Sequence, residues 1–353
     1  MNPSNIKLQL HENGFVVIPN IISEGEYNSF IEEIIYYLNN IPRNPDKKID
    51  ISKSELIEGL NKSRVKDLKS KWLLHSNFGA PTELTAFQFN SINKIRERDD
   101  IYQIYRKLLG TEKLLYYQDR IGIKLPGSGQ TEFIHIDADP WYRKDDSEAK
   151  LQSILFFADS KFYCIPKSHT KEFHKNITDN YVYIKKGKKP RSMTSIDQKK
   201  DFMNLESKLE AIEIPKNSLL IFTENLWHAS KPNKSSIIRL VSYFGYHRLN
   251  ESPNTIEERL ASYYSGRRPK YFPSGAKTHL VPKMYYNFPN SPYLMKKYLS
   301  LIPNEYWGKH LVLKNNTEVN WIDEDKWSPE ILNYIPYSHS ELGKKLLGLN
   351  SWN

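Results

Sequence analysis

A single cysteine, Cys164, stands in the 353 residues of this chain. No intramolecular disulfide can brace it, and stability has to come from a core that a chain of this length can build. No run of about twenty apolar residues occurs, the length a bilayer-spanning helix requires. The first residues, Met1-Asn2-Pro3-Ser4-Asn5, lack the charged start and apolar stretch of a secretory leader. A cytoplasmic protein without membrane attachment is the expectation. Between residues 250 and 353 there is no repeat and no second catalytic motif, only dense aromatics and prolines.

Basic charge is in excess, with a formal net charge of +10. Lys185, Lys186, Lys188, Lys189 and Arg191 form one cluster, and Arg267, Arg268 and Lys270 a second. With Tyr181 and Tyr183 beside the first, a nucleic-acid surface is one reading, since tyrosines can stack on bases. No nucleic-acid module accompanies either cluster, so solvated loops are the preferred reading.

Along the chain, Phe15 to Pro19 reads as a strand. Ser23 with Glu26 makes a capping box ahead of a helix with Tyr27, Phe30, Ile31 and Ile34 on one face. Asp100 is expected to cap a second helix that Gly110 ends. From Leu114 to Phe244 short strand-like runs alternate with turn signals such as Pro126-Gly127 and Pro215-Lys216-Asn217. That spacing suits a mainly β fold with flanking helices: a double-stranded β-helix, the cupin-like jelly roll, with N-terminal helices on one outer sheet. Residues 1–249 are read as this domain. Residues 171–210 interrupt it as a polar insertion over or beside the barrel mouth, either a lid or an ordinary surface excursion. Residues 250–353 are read as an extension packed on the barrel, with a homodimer contact as an open role.

The chemistry is concentrated in His135-Ile136-Asp137, in Trp227-His228-Ala229-Ser230 and in Arg239. Two imidazoles and a carboxylate are the donors of a mononuclear non-haem iron(II) site that leaves an octahedral face open. Residues two apart on a strand project from one face, so His135 and Asp137 can reach one metal, with His228 supplied by a distant strand. His169 and His247 are weaker alternatives for the third ligand, because neither has an arginine at the same offset. Arg239 lies in Ser236-Ile237-Ile238-Arg239-Leu240-Val241, a strand apolar on both faces, and a buried arginine needs an anionic partner. Its planar fork suits a carboxylate, as a dicarboxylate cosubstrate beside the iron would require.

The chain resembles the phytanoyl-CoA dioxygenase family of iron(II)/2-oxoglutarate oxygenases over roughly residues 8 to 248. The resemblance rests on Leu10-His11-Glu12-Asn13-Gly14-Phe15-Val16-Val17-Ile18-Pro19, on Cys164-Ile165-Pro166-Lys167-Ser168-His169, and on His228-Ala229-Ser230, Pro232-Asn233 and Arg239 in that order. It implies Fe(II), 2-oxoglutarate and O2 as cofactor and cosubstrates. It implies His135, Asp137 and His228 as ligands, and Arg239 with Ser230 on the far carboxylate. Lys124 and Gln118 stand where family members often place cosubstrate contacts. Asp139, Trp141 and Tyr142 directly follow the ligand pair and are expected to line the mouth. Lys167 departs from the glycine usual in the family.

The reaction so implied is hydroxylation of an unactivated C–H bond with release of succinate and CO2. Related halogenases leave the carboxylate position open for chloride; Asp137 fills it, which disfavours halogenation. A small molecule (an amino acid, an acyl conjugate or a secondary metabolite) is the preferred substrate. The alternative is a macromolecule, a protein side chain or nucleobase, docked through the basic clusters.

Overall fold

The computed structural model describes residues 3–40, 50–71, 89–119, 121–127, 134–142, 144–145, 149–189, 191–201, 203–265 and 337–352. The second basic cluster and most aromatics of the 250–353 extension lie outside these residues.

The first described element is helix α1 (Pro3–Asn13), and the strand expected from Phe15 to Pro19 follows as β1 (Phe15–Ile18). Gly14 makes the switch. It adopts φ +82° and its N–H closes the helix on the Leu10 carbonyl at 2.9 Å. Only glycine fits there, because a Cβ would lie 2.6 Å from Nδ1 of His169. The Ser23 capping box is formed: Ser23 N–H donates to Glu26 at 2.8 Å and Glu26 N–H to the Ser23 hydroxyl at 3.2 Å. It starts α2 (Glu24–Asn40), whose Tyr27, Phe30, Ile31 and Ile34 are buried.

Helices α3 (Lys53–Glu58), α4 (Lys62–Lys71), α5 (Asn90–Arg96) and α6 (Asp99–Leu109) follow. Asp100 does not cap α6. Arg98 occupies the cap position without a side-chain cap, and Asp100 in the first turn instead accepts from Arg98 Nε at 3.0 Å. Gly110, at φ +67°, ends the helix as expected.

Two antiparallel five-stranded sheets make the jelly roll. The first runs β1, β9 (Ser218–Thr223), β5 (Leu151–Phe156), β11 (Arg239–Tyr243), β3 (Ile121–Lys124). The second runs β7 (Thr194–Ser195), β4 (His135–Ile136), β10 (His228–Ala229), β6 (Ser160–Cys164), β8 (Glu210–Ile214). A separate ladder pairs β2 (Leu114–Tyr116) with β12 (Tyr246–Arg248).

Side chains alternate across each strand and sort into layers. Between the sheets lie Ile154, Phe156, Phe162, Leu220, Phe222 and Val241. On the outer face of the first sheet, Leu155, Leu219, Ile221 and Leu240 join the helices' apolar residues, Phe30, Ile92 and Tyr105 among them.

The 171–210 insertion belongs to the second sheet. It supplies helix α7 (Lys171–Asn180) and strand β7, which pairs with β4 through His135↔Ser195 and Ile136↔Thr194. Its Ile177, Tyr181, Ile184 and Leu205 pack on Ile134, Ile136, Trp227 and Ala229.

Beyond the barrel come α8 (Ile256–Ser265) and α9 (Glu341–Leu347). Leu346 and Leu347 are buried in the helical layer, where Glu97 accepts from Ser340 N–H at 2.8 Å and meets Nδ1 of His339 at 2.5 Å. Among the described residues no helix is long and apolar enough to cross a membrane.

Candidate metal centre

The register of β4 against β10 assembles the centre. His135 and His228 are direct cross-strand partners, so their side chains leave the sheet on one face, and the two ring centroids are 4.3 Å apart. Ile136 and Ala229, the next residues along, face the insertion instead. Asp137, just past β4, returns to the face of His135. Donor atoms of His135, Asp137 and His228 all lie within 4.8 Å of one another, and among the described residues no other group of His, Cys, Asp and Glu does so. His169 is buried elsewhere against the His11 carbonyl, 2.9 Å from its Nε2. His247 is stacked on Tyr117. Neither joins the group.

Each feature of the group suits a metal. His228 Nδ1–H donates to the Leu226 carbonyl at 2.9 Å, which leaves the Nε2 lone pair outward, 3.6 Å from Asp137 Oδ2. Burial, together with neighbouring His135, lowers the His228 pKa to about 4 despite the opposing pull of Asp137, so the imidazole is a neutral donor at physiological pH. Cys164, the partner of His228 across the other ladder, does not compete as a thiolate, because burial pushes its pKa up to about 12. Phe162 and Phe222 pack against the His228 ring.

The Cys164–His169 element props this arrangement. Trp227 N–H donates to the Ser168 hydroxyl at 2.9 Å, and Ile165 N–H to the Trp227 carbonyl at 2.9 Å. The backbone one residue ahead of His228 is thus held from both sides. Lys167 stands at φ +64°, which explains why glycine is usual at that turn.

Arg239, Lys124 and Ser230 come together beside the triad strands. Arg239 and Lys124 are paired across β11 and β3, hence on one face, the face Val241 and Tyr243 turn to the interior. Arg239 is only half-buried; its Nε donates to Ser160 at 3.0 Å and its guanidinium lies over Phe156. Lys124 is buried and its ammonium donates to Ser230 and to the Lys231 carbonyl. Two like charges directly opposed across a ladder repel, and a carboxylate between them relieves that. Asn233, from the same motif, ties the Ser230 loop down by donating to the Lys124 and Ile237 carbonyls at 2.9 and 2.8 Å.

The remaining candidates have other contacts. Gln118 is buried and donates to the Arg259 carbonyl at 2.7 Å rather than to a residue of the triad. Asp139 is buried in an ion pair: Arg191 Nε lies at 2.8 Å, and Trp141 N–H also donates to it, at 3.1 Å. Burial works to raise its pKa, but these donors prevail and hold it below the usual carboxylate range. Trp141 Nε1 donates to the Ile184 carbonyl at 3.1 Å and Tyr142 Oη to that of Gly187 at 2.7 Å. All three therefore fasten the insertion next to the ligand pair. Gln152, which sequence reasoning missed, donates from Nε2 to Asp137 Oδ2 at 2.7 Å. The available signal was a lone amide at an inward position of the apolar strand Leu151–Phe156.

Comparison with known proteins identifies the family. The family model described as phytanoyl-CoA dioxygenase (PhyH) matches residues 10–241. No curated protein matches the sequence. Similar solved structures include EctD from S. alaskensis with bound Fe, 14% identical, covering 70% of this chain and 77% of that one at a TM-score of 0.44. The epimerase SnoN in complex with Fe3+, alpha ketoglutarate and nogalamycin RO is 10% identical, with 70% and 84% covered and a TM-score of 0.41. HygX from Streptomyces hygroscopicus, with nickel, 2-oxoglutarate and hygromycin B bound, is 14% identical, with 69% and 86% covered and a TM-score of 0.40.

Proposed function

From the premise that the chain belongs to the phytanoyl-CoA dioxygenase family, we propose that it is an iron(II)/2-oxoglutarate dioxygenase that hydroxylates an unactivated C–H bond of a small molecule at the His135–Asp137–His228 centre. The convergence of those three donors on one face of β4 and β10 carries the reading. His135, Asp137 and His228 would hold the iron. Arg239, Lys124 and Ser230 would hold the far carboxylate of 2-oxoglutarate. When bound, these groups supply the oxidising chemistry, consuming O2 and releasing succinate and CO2.

The protein's part is positioning and insulation. The Leu226 carbonyl selects the His228 tautomer. Phe162 and Phe222 exclude water from one side of the ring. The Arg239 fork fixes the direction of an anion, not merely its presence. Asp137 occupies the position a halogenase leaves for chloride, which favours hydroxylation.

A small molecule is favoured over a polymer by the state of the first basic cluster. Arg191 is committed to Asp139, Tyr181 is buried, and the Tyr183 hydroxyl accepts from Asp197 N–H at 3.2 Å. Neither the arginine nor Tyr181 is free to grip a nucleic acid.

The test is a metabolite-panel screen for substrate-stimulated succinate release. His135→Ala is expected to abolish iron binding and turnover while the metal-free fold persists. Arg239→Lys keeps charge but loses the fork and is expected to raise the 2-oxoglutarate requirement about tenfold. Normal 2-oxoglutarate consumption by Arg239→Ala would remove Arg239 from the site. A steep salt dependence of activity that vanishes when Lys185, Lys186, Lys188 and Lys189 become Gln would move the substrate to a polymer.

A further inference from the structure

Gln152 lies on β5, in the sheet opposite the one that carries the ligands. Its neighbours at the same inward parity, Ile154 and Phe156, belong to the apolar interior, and so does Phe222, its cross-strand partner. An amide among such residues is costly unless bonded. Its Nε2 donates to Asp137 Oδ2 at 2.7 Å, a short and well-formed bond that crosses from one sheet to the other. The oxygen it holds is the one nearest His228, at 3.6 Å from Nε2.

We propose that Gln152 is a positioning residue for the metal ligand Asp137: it fixes the rotamer of the carboxylate so that the centre is preorganised before a metal arrives. The proposal rests on the reading of His135, Asp137 and His228 as the metal site.

Three physical points favour it. Asp137 lies beyond the end of β4, a strand of only two residues, so the ladder alone does not define its χ angles. One amide hydrogen bond engages one lone-pair direction of Oδ2 and leaves others for a metal. An amide is also a neutral donor. A lysine or arginine at the same place would pair with the carboxylate and compete with the cation for its charge; glutamine orients it and leaves that charge intact. Partners of this kind typically contribute 10–100-fold to metal affinity.

The experiment uses the full chain, stripped of metal and titrated with cobalt(II) alone, reading affinity and the visible spectrum of the bound ion. Wild type is expected to bind one equivalent and His135→Ala none; failure of wild type to bind would sink the metal-site reading itself. Gln152→Met removes the donor at nearly constant length. It is expected to weaken cobalt binding by about 10–100-fold and to alter the spectrum, because the carboxylate geometry changes. Gln152→Asn keeps an amide that is one methylene too short and is expected to do the same. It also decides the matter if Gln152→Met fails to fold, as judged by the thermal midpoint of the metal-free protein. Both variants folded, with wild-type affinity and spectrum, would overturn the role of Gln152 while leaving the metal site standing.

Discussion

The helices that cover the outer face of the first sheet and the insertion that covers the outer face of the second do similar work by different means. The helical coat is continuous apolar packing. Phe30 stacks on Phe157 with ring centroids 3.6 Å apart, and Ile34, Ile92 and Tyr105 are likewise closed off from solvent. Its strands are four to six residues long in β1, β9, β5, β11 and β3, so each ladder is extensive. The insertion coat has a smaller apolar cluster and covers the two-residue strands β4 and β10. It is fastened by separate polar pairs: Arg191 on Asp139, the Ile184 carbonyl on Trp141, the Gly187 carbonyl on Tyr142, His174 on the Asn225 carbonyl and Lys231 on Glu206. Strands that end early leave side chains free to turn toward a metal, and the stability those short ladders lack has to be supplied from outside them.

Removing packing from the helical coat should have the largest effect on stability and the least on the centre. Phe30→Ala is expected to cost about 3–5 kcal/mol by denaturant unfolding, with cobalt affinity of the folded fraction unchanged. A loss of affinity there would show the two coats to be coupled.

Acid should weaken the metal-free protein from the interior outward. The unfolded chain protonates His228 near its ordinary pKa of 6.5, while the folded protein resists until about 4. Unfolded chains therefore bind more protons in that window, and the thermal midpoint should fall by several degrees as pH drops from 6.5 to 4. His247, which burial and Arg259 lower to about 3, adds to the fall, so His228→Asn should reduce it without abolishing it. An unchanged pH dependence in that variant would mean His228 is not buried neutral.

Cutting the staple nearest the ligands should separate the coats most clearly. Arg191→Ala leaves the Asp139 carboxylate buried with fewer donors, at about 1–3 kcal/mol. Because Asp139 is two residues from Asp137, cobalt affinity should fall by roughly tenfold. If affinity held, the insertion would be a cover and nothing more. The smallest effect is expected at Lys167, where φ +64° burdens any residue with a Cβ. Lys167→Gly should gain about 0–1 kcal/mol, the relief of strain less the added freedom of the unfolded chain, read as a small rise in thermal midpoint.

The two coats also differ in how legible they were. The helical coat announces itself through the Ser23 box, the period of Tyr27, Phe30, Ile31 and Ile34, and the Gly110 stop, all local signals. The insertion is less legible. Thr170 caps α7, and Phe173, Ile177 and Tyr181 recur every four residues, but that period is short and set among polar and basic residues, and β7 is only two residues long.

Within the site, strand alternation, a local rule that holds wherever the chain is extended, was enough to propose that His135, Asp137, His228 and Arg239 face one interior. The jelly roll was legible in the spacing of short strand-like runs and turns, and the reaction family through the resemblance that the motifs carry in their order. Asp139, Trp141 and Tyr142, expected at the mouth, hydrogen-bond to a segment some fifty residues downstream (139 to 191). Gln152 reaches Asp137 from the opposite sheet. Such contacts depend on which strands face each other and on the register between them, and a pairing energy between distant residues leaves no periodic trace in either segment. The sequence by itself therefore determined the class of fold, the reaction family and the candidate donors. Only the tertiary structure decided what holds those donors in place.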